Sequence, residues 1–312
     1  MDYPHTPVLV QEVVKHLVHL PEGTYVDGTA GAGGHSEAIL DRLAGRGRLI
    51  CLDRDPDAVN LCKRRLAAFN QVCIIRANFA DLADVLKDLS LKRVDGVLLD
   101  LGMSSYQLEK SGRGFSFSRG EPLDMRMNPE NELTAGHFVN DLPARDLEEI
   151  LREYGEEKKA RSIARAIVHA REKGPIETAS QLAAIIDAAY PKSRRHRFRH
   201  PATRSFQALR IAVNRELQSL DTFLDKIPSL LISGGRLVVL SYHSLEDRRV
   251  KQAMAGWEQA CTCPPDFPQC VCGKVPIFRR LFKKGLKPGQ EELKNNPRAR
   301  SAVMRAAERV AI

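Results

Sequence analysis

The chain has 312 residues, 43% of them hydrophobic and 28% charged, with a formal net charge of +9. That length fits one large domain or two modest ones with cores of ordinary size, and the composition is that of a globular protein. No apolar run approaches the roughly 20 residues that a membrane-spanning helix needs. The opening Met1-Asp2-Tyr3-Pro4-His5 lacks a basic stretch followed by an apolar one, so a cytoplasmic protein with no membrane partner is expected.

A positive excess points to nucleic acid only where it is clustered. Here it is. Ala188 to Arg215 holds eight Lys or Arg and no acid, and Lys274 to Pro288 holds six more and no acid. Two solvated basic faces are the plainer alternative.

From residue 24 to 102 short apolar runs alternate with helical patterns. Strands are expected at Tyr25–Asp27, Leu49–Asp53, Val72–Arg76 and Val94–Asp100. Helices are expected from about Ser36 to Leu43, Pro56 to Phe69 and Asp81 to Leu89, with Asp55 capping the second and Pro56 at its first position. This alternation implies a doubly wound parallel sheet. Ser104 to Pro129, rich in Gly, Ser and Pro, reads as a loop. Helical patterns follow at Ala144–Tyr154, Glu156–Lys173 and Ala179–Tyr190, punctuated by Gly155, Gly174, Thr178 and Pro191. A long helix from Arg204 to Leu231, a Gly234-Gly235 turn and a strand Arg236–Ser241 resume the first rhythm, and Ser301–Arg305 reads as a terminal strand. The expected architecture is a Rossmann-like α/β core, residues 1–105 and 204–312, interrupted by an all-helical substrate-recognition domain, residues 106–203.

The strongest local signal is Val26-Asp27-Gly28-Thr29-Ala30-Gly31-Ala32-Gly33-Gly34-His35-Ser36, between a strand and a helix. Glycines let a backbone turn tightly and approach a ligand closely. Asp53, ending the next strand, is placed to accept hydrogen bonds from both ribose hydroxyls of an adenosine cofactor. The glycine spacing is not Gly-x-Gly-x-x-Gly, and Asp27 would oppose a pyrophosphate yet suit a cationic sulfonium. Both features favour S-adenosylmethionine over a nicotinamide cofactor, with Asp27, Gly31 and Gly33 at the site. Phe79 falls after the third strand, near the expected adenine, or is an ordinary core residue.

Ligands collect at the carboxyl ends of strands in such sheets. The fourth expected strand ends in Leu98-Leu99-Asp100-Leu101-Gly102-Met103-Ser104-Ser105, where amino-group methyltransferases commonly carry an acid or Asn. The exocyclic amine of a nucleobase is a poor nucleophile because its lone pair is delocalised into the ring. Acceptors on its hydrogens align the nitrogen and favour the charge that develops on attack. Asp100 suits this, with Ser104 or Ser105 or backbone carbonyls assisting. The fifth strand ends in Ser241-Tyr242-His243-Ser244-Leu245-Glu246-Asp247: Tyr242 is a candidate to stack on a base and His243 to position it or relay a proton. The alternative is that Ser244 caps the next helix. A DNA amino-methyltransferase is disfavoured because no Asp/Asn-Pro-Pro-aromatic motif is present. A non-catalytic RNA-binding factor is disfavoured by the intact Gly-rich turn.

Together with His5-Thr6-Pro7-Val8-Leu9, Arg113-Gly114-Phe115-Ser116-Phe117, Pro122-Leu123-Asp124-Met125-Arg126-Met127 and Ala202-Thr203-Arg204-Ser205-Phe206-Gln207, these motifs make the whole chain resemble the RsmH (MraW) family of ribosomal RNA small-subunit methyltransferases. The resemblance implies a class I S-adenosylmethionine-dependent methyltransferase fold and N4-methylation of a cytidine at the decoding site of 16S rRNA within the small ribosomal subunit. It implies cofactor contacts from Gly33, Gly34, His35, Asp53, Phe79, Asp100 and Gln107. Monomer and homodimer stay open.

On the substrate side, Arg194, Arg195, Arg197 and Arg199, with Arg204 beyond them, form a candidate phosphate clamp, since guanidinium groups bind phosphate oxygens bidentately. Cys51, Cys62 and Cys73 read as reduced core residues. Cys261, Cys263, Cys270 and Cys272 are able to complete a tetrahedral zinc site, but structural zinc sites usually space their ligands by two residues or more. Reduced cysteines in a loop are therefore the first expectation, and no metal is assigned.

Overall fold

The computed structural model describes residues 7–190, 200–261, 263, 269 and 271–310. They fall into two compact units, Met1–Gly102 with Gln218–Ile312, and Met103–Leu217.

The first unit carries α1 (Val10–Leu17), β1 (Thr24–Asp27), α2 (Gly34–Leu43), β2 (Arg48–Asp53), α3 (Pro56–Arg65), β3 (Val72–Arg76), α4 (Leu82–Asp88) and β4 (Val94–Asp100). Its seven-stranded sheet is completed by β5 (Leu231–Ser241), β6 (Phe278–Arg280) and β7 (Val303–Arg309), in the order β3-β2-β1-β4-β5-β7-β6. The strands β1 to β5 pair in parallel, and β7 runs antiparallel to both β5 and β6. A parallel sheet must be covered on both faces, and the residues comply. Val26, Ile50, Leu52, Val97, Leu99, Leu237 and Val239 enter one core. Their neighbours Tyr25, Leu49, Cys51, Leu98, Val238 and Leu240 enter the other. Each such fully buried aliphatic side chain is worth about 1.5–3 kcal/mol relative to exposure. This is the expected doubly wound α/β arrangement, and Asp55 caps α3 as its sequence predicts, accepting from Asp57 N–H at 3.1 Å. Helix α1 carries Val10, Val13, Val14 and Leu17 at helical spacing and buries Val13 and Leu17, an element outside the sequence expectation.

The second unit is helical: α5 (Ser105–Glu109), α6 (Ala135–Asp141), α7 (Ala144–Glu153), α8 (Ala160–Arg171), α9 (Ala179–Ala188) and α10 (Ala202–Asn214). The expected helix from Arg204 to Leu231 is two helices. Arg215 adopts φ 49°, which ends α10 before α11 (Glu216–Leu230) begins. The ion pair from Arg210 to Glu216, two bonds of 2.8 Å, spans the break. Because Ala202, Phe206, Leu209 and Val213 of α10 join the helical core, the second boundary lies after Leu217 rather than at residue 203. Glu156, at φ 47°, likewise delays α8 to Ala160. The last elements, α12 (Ser244–Glu258) and α13 (Gln290–Asn295), belong to the first unit. Among the described residues no helix is long and apolar enough to cross a membrane.

Within the helical unit, one buried side chain holds the long segment between α5 and α6. Asn214 is 3% exposed; its Oδ1 accepts from Met127 N–H at 2.7 Å, and its Nδ2 donates to Met125 C=O at 2.7 Å and Arg210 C=O at 2.9 Å. Met125 itself sits at φ 57°, a conformation that a non-glycine residue keeps only when its surroundings enforce it. Asn214→Ala strands two buried backbone groups and is expected to cost roughly 2–4 kcal/mol. Denaturant unfolding measures this, and a midpoint unchanged from wild type would show that the tie carries no load.

Candidate active site

Three strands of the first unit end in a carboxylate: Asp27 on β1, Asp53 on β2 and Asp100 on β4. The tip of β5 adds Ser241, Tyr242 and His243. The turn after β1 is pinned to its neighbours: Gly28 N–H donates to Leu98 C=O, Ala30 N–H to Leu52 C=O, each at 2.9 Å, and Gly31 N–H to Asp53 Oδ2 at 2.9 Å. Gly33, at φ 82°, is the left-handed residue that turns the chain into α2, a conformation costly for any side chain.

The three acids meet different environments. Asp27 is 1% exposed, and its oxygens are used within the turn, accepting from the Ser36 hydroxyl at 2.6 Å and Thr29 N–H at 3.2 Å. Burial pushes its carboxyl up, with Ser36 opposing. It therefore braces the Gly-rich turn. Asp53 accepts Gly31 N–H on Oδ2 and Asp55 N–H on Oδ1, both at 2.9 Å, leaving further lone pairs on each oxygen. Burial outweighs these bonds and pushes its carboxyl up to about 6.

Asp100 behaves in the opposite sense. Burial raises it, but His35, the Tyr242 hydroxyl and Gly102 N–H together outweigh burial and hold it below the usual carboxylate range. Its backbone N–H donates to the Thr29 hydroxyl at 2.6 Å, which fixes the tip of β4 to the turn after β1. Thr29 carries no signal beyond its place in the turn. His35, 5% exposed on α2, brings Nε2 to 3.5 Å from Asp100 Oδ2, too long for a good hydrogen bond. Both of its ring nitrogens are buried without hydrogen-bond partners. Buried polar atoms are rarely left so.

At the tip of β5, Tyr242 lies against Gly102, whose absent Cβ leaves the space: a Cβ there would stand 2.8 Å from the ring. Burial first and Asp100 second push the Tyr242 hydroxyl far above its ordinary value, so it stays a hydrogen-bond donor to Asp100. The hydroxyl is thus engaged by Asp100, in addition to any stacking of the ring. His243, not Ser244, caps α12: its Nδ1 accepts Glu246 N–H at 3.4 Å, and its Nε2 lies 3.0 Å from Glu246 Oε1. Buried Glu246 in turn accepts Tyr242 N–H at 2.8 Å and His243 N–H at 3.3 Å. His243 is committed to that cap, and Glu246 is the residue that sequence reasoning passed over. Phe79, 9% exposed, follows β3 and packs edge-on against Phe223 at 5.8 Å between centroids. Asn78 sets its turn by accepting Ala80 N–H at 3.1 Å.

The remaining expected residues lie in the helical unit or outside the described residues. Ser104 caps α5, and its hydroxyl accepts Gln107 N–H while Gln107 Oε1 accepts Ser104 N–H, both at 3.2 Å. Arg204 is exposed and donates to Glu156 C=O at 3.1 Å. Arg194, Arg195, Arg197 and Arg199 lie outside the described residues.

A sequence model described as the MraW methylase family matches residues 2–310. The chain belongs to the MraW methylase family. It is 49% identical to a protein of Heliobacterium modesticaldum named ribosomal RNA small subunit methyltransferase H, over 99% of this chain and 100% of that one. It is 48% identical to the protein of that name from Symbiobacterium thermophilum, over 98% and 96%. Among solved structures, an rRNA methylase from Streptococcus thermophilus matches with a TM-score of 0.43 at 10% identity, covering 97% of this chain and 94% of that one; so loose a likeness adds nothing to the reading of the site.

The Asp53 environment has a measurable consequence. The folded protein holds this proton more tightly than the unfolded chain does, so Asp53 contributes stability that is present below 3.8 and lost as pH rises through about 6. Without ligand, wild type is expected to lose stability relative to Asp53→Asn between about pH 4 and 7. Unfolding curves across that range, showing a constant difference, would contradict it.

Proposed function

We propose that this family member methylates small-subunit ribosomal RNA with S-adenosylmethionine as donor, and that its target is the exocyclic N4 of a cytidine at the decoding site of 16S rRNA. Four lines support the reading: the family, the names borne by its relatives, the basic clusters, and the strand tips. The observation that carries it is Asp100, a carboxylate held below its usual range at the tip of β4, with Nε2 of buried His35 3.5 Å from its Oδ2.

The residues present fit such a donor. Asp53 offers two oxygens with spare lone pairs for a ribose diol. The unpaired N–H groups that open α2 suit a carboxylate, and His35 holds unbonded polar atoms next to them. Phe79 offers an apolar surface for adenine. Asp27 and Asp100 supply a negative field that favours a cation. When bound, the donor supplies an electrophilic methyl group on a sulfonium.

The chain's own residues then have a short task. Asp100 accepts a hydrogen bond from the amine, which turns the nitrogen lone pair out of the ring and favours the positive charge that grows on it. The amine becomes acidic as it gains the methyl group, so a weak base suffices to take its proton. Tyr242 and His35 keep Asp100 ionised and fix its direction. Ser104 and Gln107, in the helical unit, and the arginines from 194 to 204 remain part of this proposal as substrate and cofactor contacts. The arginine run is a phosphate clamp that positions RNA without reading its sequence.

Incubating the protein with methyl-labelled donor and small ribosomal subunits, then hydrolysing the RNA, is expected to place the label in N4-methylcytidine; label in any other nucleoside would overturn the proposal. Asp100→Asn is expected to lower kcat about a hundredfold or more, and Tyr242→Phe about tenfold with the KM for donor little changed. Equal loss in donor binding by calorimetry would instead make Asp100 a binding residue only. Donor affinity is expected to weaken as pH falls below about 6, because the ribose contact needs Asp53 ionised. Asp53→Asn is expected to bind weakly at every pH, and a pH-dependence that survives in it would assign the titration elsewhere.

A further inference from the structure

The connection between α12 and β6 is tied at its base. Ile277 N–H donates to Trp257 C=O at 2.9 Å, and Arg280 Nε donates to Glu258 Oε2 at 2.6 Å. Above that tie, no described residue from Gln259 to Ile277 is buried, and Val271 and Val275 are 74% and 55% exposed. A connection this long whose described residues form neither secondary structure nor a core is unusual in a compact unit. The conformational entropy of ordering it must be offset by something other than apolar burial.

Three sulfurs converge there. The Sγ atoms of Cys261, Cys263 and Cys272 all lie within 4.8 Å of one another, and those of Cys261 and Cys272 are 3.8 Å apart. A disulfide requires about 2.05 Å, so these sulfurs are not bonded. Sulfurs at about 2.3 Å from a zinc ion, on the corners of a tetrahedron, stand about 3.8 Å from each other. Two backbone groups are aimed at the same cluster: Cys263 N–H donates to Cys261 Sγ at 3.3 Å, and Val271 N–H donates to Cys263 Sγ at 3.4 Å. Such bonds stabilise thiolate over thiol and orient a sulfur ligand.

We propose that Cys261, Cys263 and Cys272 hold a zinc ion that staples the α12–β6 connection. An all-sulfur donor set selects soft or borderline metals over magnesium and calcium. The one-residue spacing within each cysteine pair is bridged by the fold: Cys261 and Cys263 come from the outgoing limb and Cys272 from the returning limb. The ion thus closes the loop as a buried core would. A fourth donor completes the tetrahedron; Cys270, of the returning pair, lies outside the described residues. Cys51, Cys62 and Cys73 are placed elsewhere, buried or half-buried in the sheet unit.

The full chain, purified under reducing conditions without chelator or metal-affinity column, is to be examined by elemental analysis. The expected result is about one zinc per chain, falling about tenfold or more in Cys263→Ser and in Cys272→Ser. Cobalt titrated into metal-stripped, reduced wild type is expected to give thiolate-to-metal charge transfer and tetrahedral ligand-field bands. That measurement decides the matter if the serine variants fail to fold. Reduced wild-type protein that holds no zinc and develops no cobalt bands, or serine variants that keep full zinc, would overturn the proposal.

Discussion

A half-buried carboxylate held below its usual range is the constraint around which the strand tips of the first unit are arranged. Burial alone would drive a proton onto Asp100, and the fold opposes this with His35, the Tyr242 hydroxyl and the Gly102 N–H. Each of those groups needs its own support. His35 stands at the start of α2 because Gly33 turns the chain there. Tyr242 reaches Asp100 because residue 102 has no side chain, and Glu246 holds the backbone N–H groups of Tyr242 and His243. The pocket is thus a set of mutually dependent positions, in which the loss of one partner removes the balance that keeps the charge.

The three acids at these tips share a residue type but differ in environment. Asp27 is enclosed and braces a turn, Asp53 is raised to about 6 with spare lone pairs, and Asp100 is lowered by its neighbours. Environments that push equivalent groups apart in pKa are how one scaffold assigns them separate tasks. Under the proposed function these become a bracing acid, an acceptor for neutral hydroxyls and an acceptor for an amine.

Polar residues at strand ends carry an ambiguity that the caps resolve. Ser, His, Gln and Glu serve chemistry, but the same types satisfy the orphan N–H groups of helices. His243 with Glu246, and Ser104 with Gln107, are capping boxes. Their side chains satisfy N–H groups at the starts of α5 and α12.

The order of strands and helices from residue 24 to 100, the Gly-rich turn, the carboxylates at three strand ends and the helical character of the middle segment were legible in the sequence, whereas α1 was not. Each is a local matter of periodicity, caps and turn residues. What the sequence could not settle depended on contacts between distant residues. The αL residue Arg215 splits a continuous helical pattern, and α10 goes to the helical core because of the partners it finds there. That Asp27 accepts from Ser36, nine positions away, and that the Tyr242 hydroxyl reaches Asp100 beside Gly102, are contacts that no local pattern pairs. The cysteine pairs gain meaning only when the chain folds back and brings the two limbs of one loop together. Charge state and proximity are properties of three-dimensional surroundings, and one-dimensional spacing does not contain them.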